Sequence, residues 1–319
     1  YFARAQRAAE RVGTLDAALT HAQLEAFYHM SRADWPRTTA VLTPVLERAL
    51  QASALHVAEP PLLMLNYVHM LQGDLVRAGE HVATLLRVAK KTGNERTFLI
   101  ASLAEALLDM YRGAFAPALA RIEALEERVV AFDELIHVAN FHATRAGLLS
   151  WLERHDEALS FADRSVAVLK ETGTRNALLY NVHAFTPETY LRAWAAATAA
   201  GKDPGDLATR ARRAVKASAQ FSGVCVYAKP FARRFAGHVA LQENDVRRGV
   251  RALEESAAVG ARQGNLYEEA MAARALASVP ALDAATQTRW ARRAEENFRK
   301  LGHHSFVEEL ALRRAVAIT

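Results

Sequence analysis

Apolar residues recur along this chain on two nested intervals. The short one is helical: Ala78, Val82, Leu85, Leu86 and Ala89 follow i, i+4, i+7, i+8, i+11, one stripe of a 3.6-residue period. The long one is 40 residues. Shifted by that amount, Ala78 meets Ala118 and Ala158, and Leu42 meets Val82, Ile122 and Ala162. Val45 meets Leu85, Leu125 and Ser165, Met30 meets Met70 and Met110, and Leu71 meets Tyr111 and Trp151. A turn residue closes each unit, at Ser53, Gly93, Asp133 and Gly173. The pattern predicts four units, 14–53, 54–93, 94–133 and 134–173, each a pair of antiparallel helices. Gly73-Asp74, Gly113 and His155-Asp156 mark the turn inside a pair, where glycine ends one helix left-handed and Asp caps the next. A lone pair cannot bury its apolar stripe; stacked neighbours bury it for one another.

Beyond 173 the interval loosens. The unit 174–223 is about ten residues too long. Thr186-Pro187 reads as an N-cap and first helical residue, which leaves Arg175–Ala184 as a short extra helix or loop. Units 224–264 and 265–302 return to near-normal length, with Gly223, Gly264 and Gly302 as closing residues and 303–319 as a capping helix. Pro44, inside a predicted helix, predicts a kink. The expected fold is all-α: one α-solenoid over residues 1–319, of about seven helix pairs wound as a right-handed superhelix.

The Gly-Asp-x-x-x-Ala turn at 73–78 and the small residues Ala78, Ala118 and Ala158 resemble the tetratricopeptide pattern. The period departs from it, at 40 residues, and there is no Trp-x-x-Leu-Gly-x-x-Tyr core or closing Pro. Units of this length resemble the C-terminal arrays of bacterial STAND-type ATPase regulators, among them the maltose-regulator and large LuxR-type activators and arrays fused to cyclases or Ser/Thr kinases. Gln263-Gly-Asn-Leu-Tyr-Glu-Glu-Ala-Met-Ala and Ala294-Glu-Glu-Asn-Phe-Arg-Lys-Leu-Gly302 are similar to the closing units of such arrays. The resemblance implies a cytoplasmic sensor of a small ligand or partner protein that controls an ATPase elsewhere in its parent. The chain opens Tyr1-Phe2-Ala3, which reads as a piece of a larger protein.

Composition narrows the chemistry. The lone Cys225 excludes an internal disulfide framework and a Cys-based zinc site; it reads as a buried inert thiol or, with a depressed pKa, a redox group. No apolar run reaches membrane-spanning length. Phosphate-loop, Gly-x-Ser-x-Gly, His-Glu-x-x-His and Gly-x-Gly-x-x-Gly segments are absent, so neither enzyme activity nor a cofactor is expected of this chain. Among the 12 histidines, His303-His304 diverge by a helical step, His137 and His142 fall off one face, and His21 with Glu25 offers only two ligands, so no metal is expected. The doublets Glu254-Glu255, Glu268-Glu269, Glu295-Glu296 and Glu308-Glu309 read as solvated helix surface.

Three groups of candidate binding residues emerge. In a tetratricopeptide register the first helix of each pair faces a concave groove, which places Phe27, Met30, Tyr67, Met70, Leu71, Met110, Tyr111, Asn140, Trp151, Arg234 and His238 there. Two readings stand: these positions form the core of long helices, or they line a groove for a partner peptide, protein or small apolar ligand. The irregular segment adds Asn176, Tyr180, Asn181, His183 and Tyr190, against the alternative of a plain linker. Charge is uneven: residues 1–173 hold 18 Lys/Arg and 21 Asp/Glu, and 174–319 hold 22 and 14. Arg210, Arg213, Lys216, Arg247 and Arg251 are then either solvated surface or a face for an acidic partner. Nucleic acid would require interleaved aromatics, and few are present. The expected function is a non-enzymatic sensor or interaction module, with an oligomerisation scaffold or a basic docking surface as alternatives.

Overall fold

The computed structural model describes residues 2–131, 134–172 and 177–318. Over them the chain forms α-helices and two short 3-10 turns, with no strand among the described residues. A leading helix, α1 (Phe2–Val12), precedes the pairs. The first three are α2 (Leu15–Ser31) with α3 (Trp35–Gln51), α4 (Leu55–Gln72) with α5 (Leu75–Thr92), and α6 (Glu95–Tyr111) with a broken partner, α7 (Phe115–Glu123) and α8 (Glu126–Val130). The next four are α9 (Leu135–Trp151) with α10 (His155–Thr172), α11 (Tyr180–Ala199) with α12 (Leu207–Val224), α13 (Lys229–Gln242) with α14 (Val246–Gln263), and α15 (Leu266–Ala277) with α16 (Ala284–Leu301). Helix α17 (His304–Ile318) follows.

The 40-residue unit proves to be two near-equal halves. Left-handed backbone falls at Gly13, Ala33, Ser53, Gly73, Gly93, Gly113 and Glu153, all multiples of 20 residues apart. The residue after it often caps the next helix: Thr14, Asp34, Asp74 and Asn94 each accept a hydrogen bond from the amide three positions on. Each such cap contributes about 1 kcal/mol. Between turns run 17 or 18 helical residues, roughly 26 Å at 1.5 Å per residue. The columns read from the sequence are the packing seams. Ala78, Ala118 and Ala158 are fully buried where paired helices approach, and Leu42, Val82, Ile122 and Ala162 fill the layer beside them.

Three local expectations need correction. No helix starts at Thr186-Pro187: α11 begins at Tyr180 and runs through Pro187, so Tyr180–Ala184 belong to it. Proline removes the bond to the carbonyl four residues back, His183, and the buried Ser218 hydroxyl donates to that carbonyl at 2.7 Å instead. Asn176 and Gly173 lie outside the described residues. Gly223 does not close its unit; α12 continues to Val224 and caps at Cys225. In the fourth pair the left-handed residue is Glu153, and His155 already begins α10. Helix α1, ahead of the regular units, carried no repeat signal; it buries no side chain and packs as a loose flank on α2.

The array winds until its ends meet. The Trp35 indole donates to the Gln263 carbonyl at 2.6 Å, 228 positions along the chain. Tyr111 packs on Tyr267 with ring centroids 4.4 Å apart. Two turn glycines make this approach possible: a Cβ on Gly73 would lie 2.7 Å from Leu266, and one on Gly113 would lie 2.6 Å from the His303 ring. The inner face of the first three pairs is therefore covered by later parts of the array: Tyr180, Tyr227, the end of α14, the seventh pair and the start of α17.

Candidate functional site

Closure decides the fate of the groove positions. Met30, Met70, Leu71, Met110 and Tyr111 are buried, and Phe27 and Tyr67 pack partly buried against the same core. The residual space there is a void of about 30 Å³ lined by Met30, Tyr67, Leu71, Leu178, Tyr180 and Tyr227, room for about one water. The Tyr111 and Tyr180 hydroxyls meet at 3.0 Å. Burial pushes Tyr67 up to about 12, and Tyr111, Tyr180 and Tyr227 upward as well. An open groove along the first three pairs is thus replaced by a tyrosine-rich core.

A cleft of about 530 Å³ remains at the rim of the inner face, among the later pairs. Helix α11 supplies Glu188, Leu191, Arg192 and Ala195; α13 supplies His238, Leu241 and Gln242; α15 supplies Met271, Arg274, Ala275 and Ser278. Trp151, Val279, Pro280 and Ala281 also line it. The polar members come in helical steps, Glu188 with Arg192 and His238 with Gln242, so neighbouring first helices each present one turn to the same space.

A buried ion network floors the cleft. Arg234 donates to both Glu268 oxygens, at 2.8 and 3.1 Å, and to Glu188 at 2.5 Å. Burial works to raise Glu188, but Arg234, His238 and Arg192 together hold the carboxyl below its usual range. The two carboxylates likewise hold Arg234 well above its usual value against the opposing effect of burial. Beside them His238 is pushed down to about 4 by burial and by Arg234, so it stays neutral near pH 7. Above, the Arg192 guanidinium lies 3.7 Å over the Trp151 ring and donates to the Ser150 carbonyl. Arg274 donates to Glu309 from two nitrogens and lies 4.3 Å over the Phe306 ring.

Of the sequence candidates, Trp151 and His238 line the cleft and Arg234 anchors its floor. Asn140 is buried and donates to the Leu178 carbonyl, and Asn181 donates to Thr144. His183 is stacked on Phe221 within the fifth pair, and Tyr190 donates to Asp163 of the fourth at 2.6 Å, so these serve packing in and around the fifth pair. Tyr180 joins the tyrosine core. On the outside, Arg210 is engaged by Asp206 and Asp163, whereas Arg213, Lys216, Arg247 and Arg251 are exposed. The acidic-doublet reading fails for Glu268, Glu269 and Glu295, which are buried and bonded to Arg234, Arg293 and Arg299 respectively. Their partners lie on neighbouring turns or helices, which a reading of adjacent acids does not pair. Reasoning from sequence also missed Glu188, Arg192 and Arg274. Glu188 and Arg192 stand one helical turn apart in a stretch rich in Ala, the one local signal of a polar face turned inward. Cys225 is buried and burial pushes its thiol upward. Among the described residues no three His, Cys, Asp or Glu side chains are placed to hold a metal ion, and no described helix is long and apolar enough to cross a membrane.

Paired helices, the small-residue seam and the inward-facing cleft define a tetratricopeptide-like helical repeat. Among solved structures the chain is similar to a Rap protein complexed with Competence and Sporulation Factor: TM-score 0.60 and 11% identity, over 92% of this chain and 80% of that one. At that identity the likeness is one of fold. No family model and no curated protein matches the chain.

Proposed function

We propose that this chain is a non-enzymatic interaction module that senses a small ligand or short partner segment through the rim cleft. One observation carries the reading: a solenoid whose inner face is closed over its first three pairs keeps a 530 Å³ space lined by Trp151, Met271 and Leu241 and by polar side chains from three successive pairs. A ligand there touches α11, α13 and α15 together, so occupancy biases how those pairs stack and hence the winding of the array. The Rap protein captured with its factor supports a binding role for this fold. The resemblance of 263–272 and 294–302 to STAND-type arrays supports a place in a larger cytoplasmic bacterial regulator, where the change in winding would reach a partner domain.

Selection of short peptides from a random library on the immobilised chain tests this. Wild type is expected to enrich a set that Ala275→Trp, which fills the cleft, does not. Enrichment that is equal in both, or absent from both, contradicts the reading. A second reading rests on the exposed basic residues of α12, α14 and α16, Arg213, Lys216, Arg247, Arg251, Arg289 and Arg292. It predicts capture of an acidic partner that weakens steeply with salt.

A further inference from the structure

We infer that the rim cleft is a carboxylate receptor: it takes a short ligand with an anionic end held by Arg192 and an apolar body laid on Met271, Leu241 and Val279. The inference deepens the proposed function and rests on it. Arg192 is the starting point. Its guanidinium lies 3.7 Å over the Trp151 ring and, among the described residues, makes one hydrogen bond, a 3.3 Å contact to the Ser150 carbonyl. A planar fork of five donors has used one. The other arginines of the region are committed: Arg234 to Glu188 and Glu268, Arg274 to Glu309.

The remaining polar groups agree. Glu188, the acid on the cleft wall, has an oxygen turned down to Arg234, so its charge is drawn toward the floor. His238 and Gln242 stand on the same face of α13 and offer neutral hydrogen bonds beside the guanidinium. A carboxylate would meet a pre-positioned fork with little side-chain ordering left to do, because the stack on Trp151 already holds it. The apolar lining, which includes Met271, Ala275, Val279 and Pro280, suits an aliphatic side chain.

A pair of probes differing in one charge isolates the claim: N-acetyl-leucyl-leucine and its C-terminal amide, titrated by calorimetry or ligand-observed NMR into the millimolar range. The free acid is expected to bind about tenfold tighter than the amide or better, and Arg192→Gln is expected to bring the two to parity. Arg192→Lys keeps the charge but loses the fork, and should retain part of the preference; it stands in if Arg192→Gln does not fold. Equal binding of acid and amide to wild type overturns the carboxylate assignment and leaves the cleft reading intact. An acid preference that survives Arg192→Gln overturns the role of Arg192. No binding of either probe sinks both the inference and the function it rests on.

Discussion

The first three pairs and the last four are built from the same unit and put it to different use. Residues 13–113 keep an unbroken 20-residue beat of left-handed turns, and the inner face of those pairs is buried. After residue 153 helix lengths vary from 12 to 20 residues, and a cleft opens between α11, α13 and α15. One column shows the contrast: Leu71 and Tyr111 are sealed against the later part of the array, while their counterpart Trp151 faces the cleft. Uniform units stack into a wall; irregular ones leave space and charged groups to line it.

The sharpest way to break the contrast is to remove the arginine of the floor. Arg234→Met should leave Glu188 and Glu268 buried without a counter-charge and cost roughly 3–5 kcal/mol of unfolding free energy, read by urea denaturation. The exposed pair Arg212–Glu243 is the control: Arg212→Ala should cost about 0–1 kcal/mol. A floor variant as mild as the surface one would mean the ion network does not organise the later pairs.

Acid should attack the two halves unequally. Burial holds His81, His142, His183, His238 and His303 down to about 4; three of these five stand in the later pairs and His303 follows directly after them. Their unfolded value is near 6.5. The unfolded chain therefore binds more protons between pH 6.5 and 4, and stability falls as pH drops through that window. The expected loss is several kcal/mol in sum, with hydrogen exchange accelerating first in α9–α16. A urea midpoint flat from pH 7 to about 4.5 would contradict it.

The seam between the ends gives a smaller effect with an internal reference. Gly113 and Gly93 share a left-handed backbone, but only Gly113 faces another residue. Both alanine variants should lose about 1 kcal/mol to backbone strain, and Gly113→Ala about 1–3 kcal/mol more by overpacking on His303. Equal losses would mean the ends do not meet. Smallest is a gain: Glu153→Gly should stabilise by about 0.5–1 kcal/mol, since Glu is strained by its left-handed backbone at φ 61.

Neighbour-to-neighbour structure was legible in the sequence and long-range structure was not. Helical stripes, the Ala78-Ala118-Ala158 seam and the capped turns each depend on residues within one unit or the next. How tightly the array winds depends on small rotations summed over many units, so nothing near Trp35 announced Gln263. The same limit hid the site. Arg234 and His238 stood out as polar residues on a first helix, but their partners Glu188 and Glu268 are 46 and 34 positions from Arg234. Pro187 misled because the hydroxyl that replaces its missing bond belongs to another helix.

Closure of the inner face is best tested by titrating the tyrosines in the near ultraviolet. Tyr67, Tyr111, Tyr180, Tyr190, Tyr227 and Tyr267, six of the eight in the chain, are all raised above 10 chiefly by burial. They should stay protonated through pH 11 and ionise together as the chain unfolds. Gradual ionisation of Tyr67, Tyr111 and Tyr267 near pH 10 with the helices intact would mean an open groove and would contradict closure.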